Sequence, residues 1–182
     1  MNLIIGFVPF ILYALLVRLS DDLALWVAFA VAFALGMRSF LETRVLKTLD
    51  VGSMVLFGAL ALYKGFVEPG LPFGIELLLV DGSLLAILLA SWLLYEPFTL
   101  QYAREQVSPQ LWKTPAFLRT NAIVAGVWLT AFILMTAADI AAAVLSRISA
   151  SSAMAAGLVA LAGALTFSLS YPRATSLGEN PD

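Results

Sequence analysis

Residues 73–95 read FGIELLLVDGSLLAILLASWLLY, an apolar run in which Glu76 and Asp81 are the only charged residues. At about 1.5 Å of rise per residue, such a run is long enough as a helix to cross a hydrocarbon layer roughly 30 Å thick. Working outward, five further runs meet the same test. They cover 3–19, 23–40, 51–67, 122–145 and 151–171. Run 51–67 is the shortest and carries Lys64 in its last turn, so a five-span chain follows if it inserts only in part. The composition agrees: 182 residues, 62% hydrophobic and 12% charged, with a mean hydropathy of +0.96. Soluble domains carry about 25% charged residues, and a chain of this size has no interior large enough to hide so much apolar surface. The sequence therefore predicts an all-α, polytopic membrane bundle of six transmembrane helices. It forms a single domain over 1–171, followed by a polar tail over 172–182.

Charge and residue usage exclude several functions. A net charge of −2 with no basic run offers nucleic acid nothing to hold. Without Cys or His there is no thiolate or imidazole ligand, no thiol nucleophile and no His-based triad. No glycine-rich phosphate loop appears. The sequence thus predicts a non-enzyme, with no catalytic residues, no cofactor and no metal. The first run lacks a basic flank and a small-residue cleavage pattern, so it reads as a retained span rather than a signal peptide.

Basic residues stay on the cytoplasmic side of a membrane. With six spans, Arg38, Arg44, Lys47, Arg104, Lys113, Arg119 and Arg173 share one side, and Arg18, Lys64 and Arg147 the other. That places both termini in the cytoplasm, together with the loops 41–50 and 96–120. Asp21, Asp22, Glu68, Glu76, Asp81 and Asp139 lie on or near the outer side.

Three features stand out against the apolar background. The last span repeats a small residue every fourth position, at Ser152, Ala156, Ala160, Ala164 and Ser168. Ala122, Gly126, Thr130, Ala138 and Ala142 make a similar stripe on the span before it. Such stripes let helices approach closely in lipid, here either within the chain or across a homodimer. Segment 96–120, EPFTLQYAREQVSPQLWKTPAFLRT, predicts an amphipathic helix entered at Pro97 and broken at Ser108-Pro109. It is expected at the lipid headgroups, either as a collar or as a lipid or partner surface through Tyr102, Arg104, Trp112, Lys113 and Arg119. Finally, an ionisable group inside a span costs about 2.5–3.5 kcal/mol on insertion scales, so it needs a partner or a wet path. Asp81 and Asp139 fall at similar depths on neighbouring spans, with Lys64 near them and Glu76 extending the series outward. A meeting of Asp81, Asp139 and Lys64 is therefore geometrically allowed. It would serve either as a buried pair fixing helix register, with Ser83, Ser53 or Thr136 as hydrogen-bond partners, or as a proton or cation site whose carboxyls share one charge.

Several short motifs also resemble a known family. They are Gly6-Phe7-Val8-Pro9-Phe10, then Arg38-Ser39-Phe40 with the basic connection to Lys47. The exit SWLLYEPF over 91–98 follows, and then Leu111-Trp112 leading to Asn121 and Trp128. In order and spacing, over roughly residues 5–145, they resemble the intracellular septation protein A family of small bacterial inner-membrane proteins. The resemblance implies a non-enzymatic scaffold of the cell envelope, linked to septation and membrane integrity. Its partners would be membrane lipids and other inner-membrane or division proteins. Beside it stand two alternatives from the residues themselves: a small proton or cation transporter using Asp81 and Asp139, and a lipid-handling protein using 96–120.

Overall fold

A computed structural model describes residues 2–94 and 97–178, with side chains described over 4–94 and 97–171. Among these residues every regular element is helical: α1 (Asn2–Gly6), α2 (Val8–Leu16), α3 (Asp21–Thr43), α4 (Thr48–Phe66), α5 (Phe73–Leu93), α6 (Phe98–Ala103), α7 (Pro115–Ala143) and α8 (Ala150–Gly178). Two short 3₁₀ turns, Arg104–Gln106 and Pro109–Leu111, join α6 to α7. Five helices are long and apolar enough to cross a membrane: α3, α4, α5, α7 and the Ala150–Tyr171 part of α8. The chain is thus a multi-pass membrane protein. The run 51–67, the weakest by composition, is among them. Of the tail expected over 172–182, the backbone of 172–178 continues α8, and 179–182 lie outside the described residues.

The sixth helix expected over 3–19 is replaced by two short ones. The cause is Pro9, in the first turn of α2. It has no N–H to give the carbonyl four residues back, and its ring crowds that carbonyl. The chain bends at Phe7, whose N–H reaches Ile4 O at 3.0 Å in a tighter turn. The elbow lies against the side chains of Tyr102 and Leu49. A Cβ on Gly6 would stand 2.7 Å from Tyr102 Oη and 3.0 Å from Leu49 Cδ2, so only glycine fits there without a shift.

Helix ends follow local chemistry. Ser20 caps α3 by accepting the Leu23 N–H at 3.3 Å, and Asp21 and Asp22 complement the positive end of the helix dipole. The helix closes on Arg44 in the left-handed conformation, φ 58°. Thr114 caps α7, with Pro115 opening its first turn.

Neighbouring long helices run antiparallel. α3 packs between α2 and α4, α5 lies against α4 and α7, and α8 covers α7. Asp21, Lys64, Glu76 and Asp139 therefore gather toward one end of the bundle, and Thr43, Thr48, Ser91, α6 and Asn121 at the other. The core between them is aromatic. Phe7 stacks on Trp128 at 4.3 Å between ring centroids with planes 3° apart. Phe98 meets Phe7 edge-on at 6.1 Å, and Phe10 lies 4.9 Å from Phe57. The Trp128 indole N–H donates to Ser168 Oγ at 2.7 Å, tying α7 to α8.

The small-residue stripe on α8 enters the α7 interface only in part. Ser152 and Ala156 are exposed, whereas Ala160 is half-buried and Ala164 buried. A four-residue repeat advances about 40° per step around a helix of 3.6 residues per turn, so the row drifts off one face. Ala153, Met154 and Gly157 are the buried residues where the stripe is exposed.

Candidate functional site

At the acidic end three helix termini meet, each charge at the end its dipole favours: Asp21 opens α3, Lys64 lies in the last turn of α4, and Glu76 opens α5. The Lys64 side chain is 3% exposed and its Nζ lies 2.5 Å from Glu76 Oε2, whose own side chain is wholly buried. The same ammonium binds Asp21 and lies 3.8 Å from Asp22. Tyr13 Oη donates to the other Glu76 oxygen, Oε1, at 2.9 Å. Both oxygens of Glu76 are therefore satisfied, one by a cation and one by a phenol. Asp21 and Asp22 stay partly exposed and carry the cluster to the surface.

Deeper along α5 lies a second acidic group. Asp81 interacts with Asp139 of α7; they are 8% and 1% exposed. α5 and α7 are close here, since a Cβ on Gly82 would meet Thr136 Cγ2 at 3.9 Å. Asp139 Oδ2 and Thr136 Oγ1 are both buried, and neither has a hydrogen-bond partner among the described residues.

The meeting of Asp81, Asp139 and Lys64 that the sequence allows is thus divided in two. The acids come together, while Lys64 turns to Glu76 and Asp21. Helix rotation accounts for this where depth did not. Glu76 and Asp81 are five residues apart, which turns the second side chain about 140° around α5 from the first. One faces α2 and α4, and the other faces α7. Two of the expected hydroxyl partners of the aspartates are also elsewhere or idle. Ser53 Oγ donates to Leu49 O at 2.7 Å, and the Thr136 hydroxyl has no partner among the described residues. Tyr13, Asp21 and Asp22 were absent from the sequence-derived site. The available signal was a tyrosine in an apolar segment, whose hydroxyl requires a partner once buried.

Segment 96–120 starts its helix after Pro97, but the amphipathic helix expected to run to Ser108-Pro109 stops at Ala103 and gives way to a 3₁₀ turn, and its candidate contacts do not form one surface. Tyr102 is buried, with its Oη donating to Asp50 Oδ1 at 2.6 Å and Lys47 Nζ 4.6 Å from its ring centre. Burial, then the Asp50 carboxylate, push the Tyr102 phenol well above its ordinary value, so it stays a neutral donor. Lys47 also pairs with Glu105 at 2.7 Å, and the Gln101 side chain exchanges two 2.8 Å hydrogen bonds with Thr48. These bonds fasten α6 to the start of α4. Arg104 lies over the Trp112 ring at 5.6 Å, and Lys113 and Arg119 are exposed. Tyr102→Phe leaves Asp50 without its donor and is expected to cost about 1–3 kcal/mol in chemical unfolding of the detergent-solubilised protein. An unchanged unfolding midpoint would show that water replaces the phenol.

Compared with protein-family models, with curated proteins and with solved structures, the chain matches none.

Proposed function

We propose that this chain is a non-enzymatic, multi-pass inner-membrane protein that exchanges a proton or small cation at Asp81 and Asp139. The observation that carries this is the buried acid pair itself, with Asp139 Oδ2 unpartnered. Lys64, the nearest lysine in the sequence-derived set, is already bound by Glu76 and Asp21. Two neighbouring buried carboxyls cannot both stay ionised without a counter-charge, so at least one holds a proton or a cation stands beside them. From the exposed end, Asp21, Lys64, Glu76 and Tyr13 form a connected polar series, and Tyr13 and Asp81 line one cavity. Toward the other end, Phe7, Phe98, Trp128 and Phe132 close the core. Such an arrangement suits a site entered from the acidic end. The α1–α2 pair extends from Leu49 and Tyr102 to Glu76, which supports counting it as a sixth passage and placing both termini in the cytoplasm.

The test is proton flux into liposomes containing the purified protein, with a pH-sensitive dye inside and a potassium diffusion potential applied. Flux above that of empty liposomes is expected, and its loss in the Asp81→Asn, Asp139→Asn variant. No flux from folded wild-type protein, in proton or alkali-cation assays, contradicts the proposal.

One observation favours the septation-linked scaffold as a second reading. Phe7, Pro9, Phe10, Phe98 and Trp128, all within the motifs behind the resemblance, are core residues. Residues that build the core are what a scaffold would need, and it requires no flux.

A further inference from the structure

A cavity of about 190 Å³ lies between α2, α5, α7 and α8, with Asp81 in its lining. The rings of Phe7, Phe10, Trp128 and Phe132 form part of its wall, and aliphatic side chains such as Leu84 and Leu161 make up most of the rest. Among the described lining residues Asp81 carries the only charge, since the Tyr13 hydroxyl, also at the wall, is committed to Glu76. Ile11 and Leu158, at the α2 and α8 edges, are 42% and 48% exposed on the apolar outside of the bundle. The cavity is thus reachable sideways from the bilayer.

We propose that this cavity binds a small organic ammonium ion, with its apolar body among the aromatic rings and its charge against Asp81. The proposal rests on the assignment of Asp81 and Asp139 as the exchangeable charge and names the class of cation exchanged. Three features select that class. An inorganic cation needs several oxygen ligands, and these walls supply almost none. A quaternary or alkyl ammonium instead favours aromatic faces, which attract it through their quadrupoles. The buried carboxylate supplies the counter-charge that a neutral hydrocarbon would leave unanswered. Size sets the scale, because an apolar cavity of roughly 150 Å³ holds benzene. A cavity of about 190 Å³ therefore suits a small alkylammonium with about as many non-hydrogen atoms as benzene, such as ethyltrimethylammonium.

The probe is ethyltrimethylammonium, titrated calorimetrically into the full chain in detergent micelles. 2,2-Dimethylbutane, with the same shape and no charge, serves as its competitor. Saturable binding is expected, weakened about thirtyfold or more by Asp81→Asn. Asp81→Glu should recover part of it. Gly157→Leu should also weaken it. Gly157 lines the cavity from α8, where a Cβ already meets Met135 at 3.4 Å, so a larger side chain fills the space without touching the carboxyl. 2,2-Dimethylbutane should compete poorly. Absence of saturable binding to folded wild-type protein overturns the proposal. Equal affinity for the neutral probe also overturns it, marking the cavity as a site for hydrocarbon such as a lipid chain. Unchanged affinity in Asp81→Asn does the same. If Asp81→Asn fails to fold, the charge comparison on wild type and the Gly157→Leu result still decide. Acid-dependent proton flux without ammonium binding removes this inference alone. Asp81-dependent binding without any flux keeps the site and removes the transport reading.

Discussion

Lys64→Met is expected to destabilise the folded bundle by about 3–5 kcal/mol, because it strips the counter-charge from a carboxylate with no exposed surface. Glu76 would retain only the Tyr13 hydroxyl as a partner. Asp21 would suffer less, since its side chain is 45% exposed and water can solvate it. The companion variant separates the loss of a contact from the stranding of a charge. Lys64→Met combined with Glu76→Gln leaves no buried charge and keeps an acceptor for Tyr13. It should regain most of the lost stability. Reversible unfolding in mixed micelles reads both. If the double variant is no more stable than the single one, direct bonds between the helix ends rather than charge balance hold this region together.

Trp128→Ala is expected to cost about 3–5 kcal/mol by the same measurement. The indole lies flat on Phe7, sits 6.4 Å from Phe98 edge-on and 6.0 Å from Phe132, and donates to Ser168. In a bilayer the unfolded reference keeps its side chains in lipid, so the loss is mainly of packing and of the space left empty rather than of transfer from water. Trp128→Phe should preserve the ring contacts and lose the Ser168 bond. Hydrogen bonds between membrane helices average about 0.6 kcal/mol, so the expected cost of that bond is small. A Phe variant as damaged as the Ala variant would shift the weight from stacking to the α7–α8 hydrogen bond.

The long helices were legible because a run of some twenty apolar residues has few other outcomes in a chain with this little charge. The start of α6 was legible because Pro97 punctuates it, but its end at Ala103 was not, since Ser108-Pro109 marks a break several residues further on. The first segment was read as one helix because hydropathy registers apolar side chains and not hydrogen-bond continuity. Gly6 and Pro9 carried the break, and they appeared among the motif residues without being used for it. The pairing of Asp81 with Asp139 was accessible from depth, since both approach from the same end on sequential long helices. Lys64 was not placed by depth. Its partners lie on α3 and α5, 43 and 12 residues away in sequence, and which face of α5 it meets depends on helix rotation. Tyr102 was expected at the membrane surface from its aromatic-basic neighbourhood. It is buried because Asp50, in the first turn of α4, offers an acceptor that a headgroup layer would otherwise supply.

Infrared difference spectroscopy of the protein in lipid tests most directly whether a proton resides at the acid pair. The expected result is a carboxylic C=O band that appears as pH falls and shifts in heavy water. It should be lost in Asp81→Asn and altered in Asp139→Asn. A spectrum with no such band, or one that both substitutions leave unchanged, would contradict a proton site at Asp81 and Asp139.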